Sequence, residues 1–205
     1  MENFKNGDES DGGVHTARFV SINYMDYNSP STGNKDPQSM YFGNNGVTIG
    51  NTKGGTDETS YVGGKWNTQR CVSKATNQDK TSDKVDNNSG EGYCAPACCC
   101  DRYSTPGTKP GDWYLPMPGE LYQIYANKTA INEKRTTLVG SGFSESSFYW
   151  SSREYSSTCE YSVYLDNGSI YSYGFNDYDS YVLGFLAVEV PSFNIPSFNI
   201  PSFKP

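Results

Sequence analysis

The chain has 205 residues, a formal net charge of −7 and 15% aromatics, 17 of them Tyr, against only 35% hydrophobic residues in all. Its pI near 4.7 and mean hydropathy of −0.70 leave no basic footprint for nucleic acid, no basic amphipathic helix for a membrane surface, and no apolar run long enough to span a bilayer. The length suits one domain with attached pieces, and aromatic rings must supply much of its core.

Residues 1–14, opening "MENFKNGDESDGG", read as a polar leader without an apolar h-region, hence without a signal peptide in this chain. Either the protein stays in the cytosol until a particle releases it, or Met1 starts a trimmed piece of a longer exported chain. "ARFVSINYM" (17–25) alternates and predicts a strand. Residues 26–64 read as a loop-rich region of Gly, Asn, Ser and Thr. A short helix is predicted over 66–76 with Asn67 or Thr68 as its N-cap, followed by a solvated loop over 77–92. "CAPACCCDRY" (94–103) is a small-residue helix, broken by "STPGTKPG".

"DWYLP" (112–116) predicts a short strand near the sheet, with Trp113 and Leu115 buried. Pro118, Glu120, Leu121, Ile124 and Tyr125 then describe an amphipathic helix whose Leu121 faces that strand, with Glu120 as a first-turn acid. A second helix is expected through Ile131 and Leu138. Strands follow at 147–152, 161–165, 169–173 and 181–190, and Asp166-Asn167-Gly168-Ser169 marks a tight hairpin between two of them. The fold class is α+β: an antiparallel sheet, two or three helices and long loops. The tail 190–205 repeats PSF with Pro in each copy, which predicts an extended arm docking Phe193, Phe198 and Phe203 on its own or a neighbouring chain.

Candidate chemistry is sparse. The one histidine, His15, reads as part of a flexible leader, so nucleophile–His–acid catalysis has no support, and no catalytic residue is assigned. Cys71, Cys94, Cys98, Cys99, Cys100 and Cys159 lack the C-x-x-C or Cys/His spacing of a zinc site. They read as buried free thiols, with one disulfide left open. Asp166, Asp177 and Asp179 read as turn and loop carboxylates rather than calcium ligands, Glu120 and Glu154 are not marked as a glycosidase pair, and no metal or cofactor is expected.

"GKWNT" (64–68), "APACCCDRYSTPGTKPGDWYLPMPGEL" (95–121), "YWSSREYSS" (149–157) and "YSVYLDNGSIYS" (161–172) together resemble the C-type-lectin-fold variable proteins of gut bacteria and their phages, which retroelements diversify. "HTARFVSINYMDYNSPSTG" (15–33) is similar to their upstream region, so the resemblance spans 15–189 and stops short of the arm. It implies a C-type-lectin-like ligand-binding domain over 15–189 whose 3′-encoded residues vary because a template is copied with errors at adenines. The implied ligand-binding positions are Tyr155, Ser157, Tyr161, Ser162, Tyr164, Ser169, Tyr171, Tyr173, Asn176, Tyr178 and Ser180. Tyr with Ser, Gly and Asn is also the composition of an antibody paratope. The expected partner is a cell-surface protein or glycan, bound outside the cell from a phage particle or a bacterial surface appendage, with self-association through the arm. Two other readings stay open: a formylglycine-generating-type oxidase on the related fold, using Cys159 and one helix cysteine, and a structural virion or appendage protein.

Overall fold

A computed structural model describes residues 14–26, 28–43, 46–75, 94–175 and 179–191. Residues 1–13 of the leader, the 77–92 loop, Asn176, Asp177, Tyr178 and the three Phe of the arm lie outside the described residues, whereas Val14 and His15, read as leader, have strand backbone. By its contacts the chain divides into residues 19–186 and a smaller unit of 1–18 with 187–205. In the smaller unit the described part is extended backbone, the start of β1 (Val14–Tyr24) and the end of β8 (Leu183–Pro191). Strand β8 therefore runs to Pro191, past the point where the arm was expected to begin.

The larger unit is α+β. It carries β2 (Ser39–Tyr41), α1 (Gly64–Lys74), α2 (Ala95–Arg102), β3 (Trp113–Tyr114), α3 (Pro118–Ala126), α4 (Lys128–Val139), β4 (Phe148–Ser156), β5 (Cys159–Tyr164), β6 (Ser169–Phe175) and β7 (Asp179–Tyr181). The strands form two sheets rather than one, ordered β1-β8-β3 and β2-β7-β4-β5-β6. The larger sheet is not wholly antiparallel, because β4 meets β7 in parallel through Tyr149 and Tyr181. The expected last strand, 181–190, is divided at Val182 between β7 and β8, which belong to different sheets.

Helices number four among the described residues, against the two or three expected. Asn67 and Thr68 are not caps. Helix α1 starts at Gly64 behind a left-handed Gly63, which leaves both side chains buried. Asn67 donates to and accepts from the Lys53 backbone at 3.0 Å, and Thr68 Oγ1 accepts from Leu115 N at 2.9 Å. Helix α3 begins at Pro118, as predicted. Its Glu120 is the expected first-turn acid and is also buried: one oxygen accepts from Tyr114 Oη at 2.6 Å and the other from Met117 N at 2.8 Å.

Trp113, Leu115 and Leu121 are all buried. Leu121, however, does not face the other two. Trp113 and Leu115 join Met40, Phe42, Trp150, Val182 and the helix cysteines in one cluster. Leu121 joins Tyr24, Ile124, Tyr149, Val163 and Leu183 in another. Successive strand residues point to opposite faces, so Tyr149 and Trp150, adjacent on β4, enter different clusters. Helix α4 departs furthest from expectation. Leu138 is 68% exposed, and the residue of this helix that is buried is Arg135. Its guanidinium donates to the carbonyls of Ile22, Lys35, Ser141 and Gly142 at 2.5–2.8 Å and lies over the Tyr24 and Phe143 rings.

Candidate ligand-binding face

Strands β5 and β6 form the hairpin that the sequence marks. Tyr164 pairs with Ser169, Gly168 N donates to Tyr164 O at 2.9 Å, and Asn167 Oδ1 accepts from Ser169 N at 3.0 Å. Gly168 has φ +75°, and a Cβ there would run into the Tyr125 ring. Glycine thus serves both the turn and the close seating of its tip on α3.

A β-bulge then decides what the hairpin displays. Ser162 pairs with Tyr171, but Glu160, two residues earlier, pairs with Gly174, so β6 carries one extra residue between them. Trp150, Ser162, Tyr164, Tyr171, Glu160 and Gly174 consequently share one face, the Trp150 face. The packing agrees, since a Cβ on Gly174 would lie 2.6 Å from the Trp150 ring. Tyr161 and Tyr173 fall on the other, Tyr149, face.

The tyrosines are therefore divided rather than gathered on one surface. On the Trp150 face Phe148 packs against Tyr164 and Tyr171, with centroids 4.8 and 5.2 Å away. On the Tyr149 face Tyr155 packs edge-on against Tyr161 at 5.7 Å and Tyr173 at 5.5 Å. A hydrogen bond with Tyr173, the largest cause, holds the Tyr155 phenol above its ordinary range. Tyr155, Tyr171 and Tyr173 are exposed, whereas Tyr161, Tyr164, Ser157 and Ser169 are half-buried. Two expected contact residues are buried. Ser162 is 2% exposed, under Trp150 and Gly174; Ser180 is 8% exposed, paired with the core residue Met40. Each points inward because its strand alternation puts a small polar side chain against the core. Asn176 and Tyr178 lie outside the described residues.

Beside the Tyr149-face trio is a cleft of about 430 Å³. Its walls are Tyr122 of α3, Tyr161, Ile170 and Ser172 of the hairpin, and the 56–58 loop with Asp57 and Glu58. The loop is fixed from both sides. Gly119 backs it so closely that a Cβ there would lie 2.6 Å from Ser60 N, and Asp57 Oδ1 accepts from Thr59 Oγ1 at 2.7 Å, Thr59 N at 3.0 Å and Ser60 Oγ at 3.1 Å. These bonds, the Thr59 hydroxyl first, hold the Asp57 carboxyl below the usual range. Sequence reasoning found Tyr161 and Ser169 of this cleft and missed Tyr122, Asp57 and Glu58. A single acidic pair in a polar loop carries no local pattern that sets it apart.

No cysteine lines the cleft. All six are buried free thiols. Burial is the main cause that pushes the Cys71, Cys99 and Cys100 thiols up, and it raises Cys98 to about 12. Among the described residues no helix is long and apolar enough to cross a membrane.

No protein-family model matches the chain, and no curated protein sequence matches it. Among solved structures it is similar in fold to a fimbrial protein from Bacteroides ovatus ATCC 8483, with a TM-score of 0.53 and 15% identity; the match covers 91% of this chain and 38% of that one. This chain thus spans well under half the length of the fimbrial protein.

Proposed function

We propose that the chain is a non-enzymatic ligand-recognition domain of a bacterial surface appendage, with a C-type-lectin-like fold and a surface diversified at its Tyr and Ser positions. The observation that carries the reading is the trio Tyr155, Tyr161 and Tyr173, packed ring to ring beside an open cleft. Aromatic phenols held by their neighbours offer large amphipathic contact area at low entropic cost. The similarity to a fimbrial protein supports the location on an appendage. The burial of every thiol weighs against the oxidase reading, which needs a reactive pair in a cleft. A structural appendage subunit is the second reading, favoured by the same similarity.

The test is binding of the fluorescently labelled chain to a panel of bacterial and epithelial cells, beside the double variant Tyr155→Ala/Tyr173→Ala. Loss of binding with an unchanged melting temperature supports recognition through this face. Binding that survives the double variant overturns it, and binding by neither protein favours the structural subunit. Diversification has its own test in the gene's surroundings: a near-copy of the 3′ coding region that differs only at adenines.

A further inference from the structure

We infer that the cleft between α3, the 56–58 loop and the β5–β6 hairpin is a subsite for a basic side chain, arginine above lysine, projecting from a partner protein. The inference rests on the recognition reading above and names the chemistry of one part of that surface.

Size sets the first limit. At about 430 Å³ the cleft holds one extended side chain or a small ring, at the lower end of the roughly 300–1,000 Å³ of ligand pockets. Charge sets the second. Asp57 and Glu58 are exposed on its rim, no Lys, Arg or His is among its lining residues, and the chain carries a net charge of −7. An anionic group entering here meets two carboxylates and no cationic side chain among the lining residues. The third limit is the character of the remaining wall. Tyr122 and Tyr161 bring aromatic rings to the lining, and Thr56, Ser169 and Ser172 are hydroxyl-bearing residues. Rings favour a cation over their faces. A guanidinium, planar and with five donors, can stack on a ring and still bond a carboxylate.

The walls are already in place. Asp57 is tied down by Thr59 and Ser60, the loop is seated on the Gly119 backbone, and the hairpin tip rests on the Tyr122 and Tyr125 rings through Gly168. A site assembled before its ligand arrives loses little entropy on binding. A neutral saccharide could use the same rings and hydroxyls and donate its own hydroxyls to the carboxylates, but it would leave their charge unbalanced.

The probe is Nα-acetyl-L-arginine amide, titrated into the ¹⁵N-labelled chain, with the citrulline analogue as a neutral isostere and a methyl glycoside as the saccharide arm. The amides of Thr56–Glu58 and Ser169–Ser172 should move with arginine, and binding should weaken with salt. The citrulline analogue, and the variant Asp57→Asn/Glu58→Gln with arginine, should each bind at least roughly tenfold more weakly. The Asp57→Asn change retains the side-chain Oδ1 that the loop needs, so the double variant keeps the fold. Equal binding of arginine and citrulline, no movement with either, or movement with the glycoside alone overturns the proposal. The Tyr155→Ala/Tyr173→Ala variant should still bind arginine here, so failure of the wider recognition face and failure of this subsite read out separately.

Discussion

Asn51 and Glu160 meet in the interior with half their hydrogen-bonding capacity unspent. Asn51 Nδ2 donates to Glu160 Oε2 at 3.3 Å and to Ser152 O at 3.0 Å, whereas Asn51 Oδ1 and Glu160 Oε1, both buried, accept from no group among the described residues. A carboxylate leaves both oxygens in want of a donor; a neutral carboxylic acid carries one of its own. Burial, with Cys94 and Glu154 nearby, pushes the Glu160 carboxyl well above 4.5, against the smaller opposing effects of Asn51 and Arg153.

This sets a pH dependence. Below 4.5 the folded and unfolded chains both hold the Glu160 proton. As pH rises past that value the unfolded chain releases it first, so stability falls until the folded-state value is passed. Glu160→Gln keeps the shape and adds two donors while removing the proton. It should melt higher than the parent at about pH 7, with the gap closing toward about pH 4. Calorimetry at both pH values checks this, and a gap independent of pH refutes it.

The recognition tyrosines should separate function from stability. Tyr155→Ala and Tyr173→Ala remove exposed rings and should each cost roughly half a kcal/mol or less, measured by urea denaturation. Tyr149→Ala, on the same strand as Tyr155 but fully buried, should cost about 3–5 kcal/mol. Similar costs at exposed and buried positions would mean the trio belongs to the core.

Arg135 should behave as a fastener. Arg135→Ala strands the carbonyls of Ile22, Lys35, Ser141 and Gly142 together and should cost about 2–4 kcal/mol. Arg135→Lys should recover only part of this, because an ammonium cannot spread its donors in the same plane. Full recovery with lysine would reduce the role to charge alone.

Thiol chemistry should be silent in the folded state. Alkylation with iodoacetamide at mild alkaline pH should leave all six cysteines unmodified and label all six in urea. Rapid native labelling of Cys159, read by mass spectrometry, would contradict its burial and revive the oxidase reading.

What the sequence exposed and what it hid divide along sequence distance. Asn167-Gly168 announced its hairpin and Pro118 the start of α3, because turn and cap chemistry act between neighbours. The alternation at 161–165 and 169–173 fixed the strands but not the bulge, which depends on how two strands register. That bulge is why Tyr173 parts company with Tyr171 and joins Tyr161; Tyr161 and Tyr164, three residues apart, separate by alternation alone. Arg135 and Glu160 were invisible for a related reason: each has partners far along the chain, Lys35 at 100 residues and Asn51 at 109. A polar side chain with no local partner reads as solvated until the fold brings its partner in.

The step at Val182 governs when the domain can finish folding. Strand β7 supplies the partner of β2, where Ser39 bonds Asp179 across 140 residues, and β8 lies between β1 and β3. Both sheets therefore wait for the last strands to emerge. Pairings of such high contact order form slowly and late. A nascent chain halted before Asp179 leaves β1, β2 and β3 with open edges, so synthesis must pass β8 before either sheet closes.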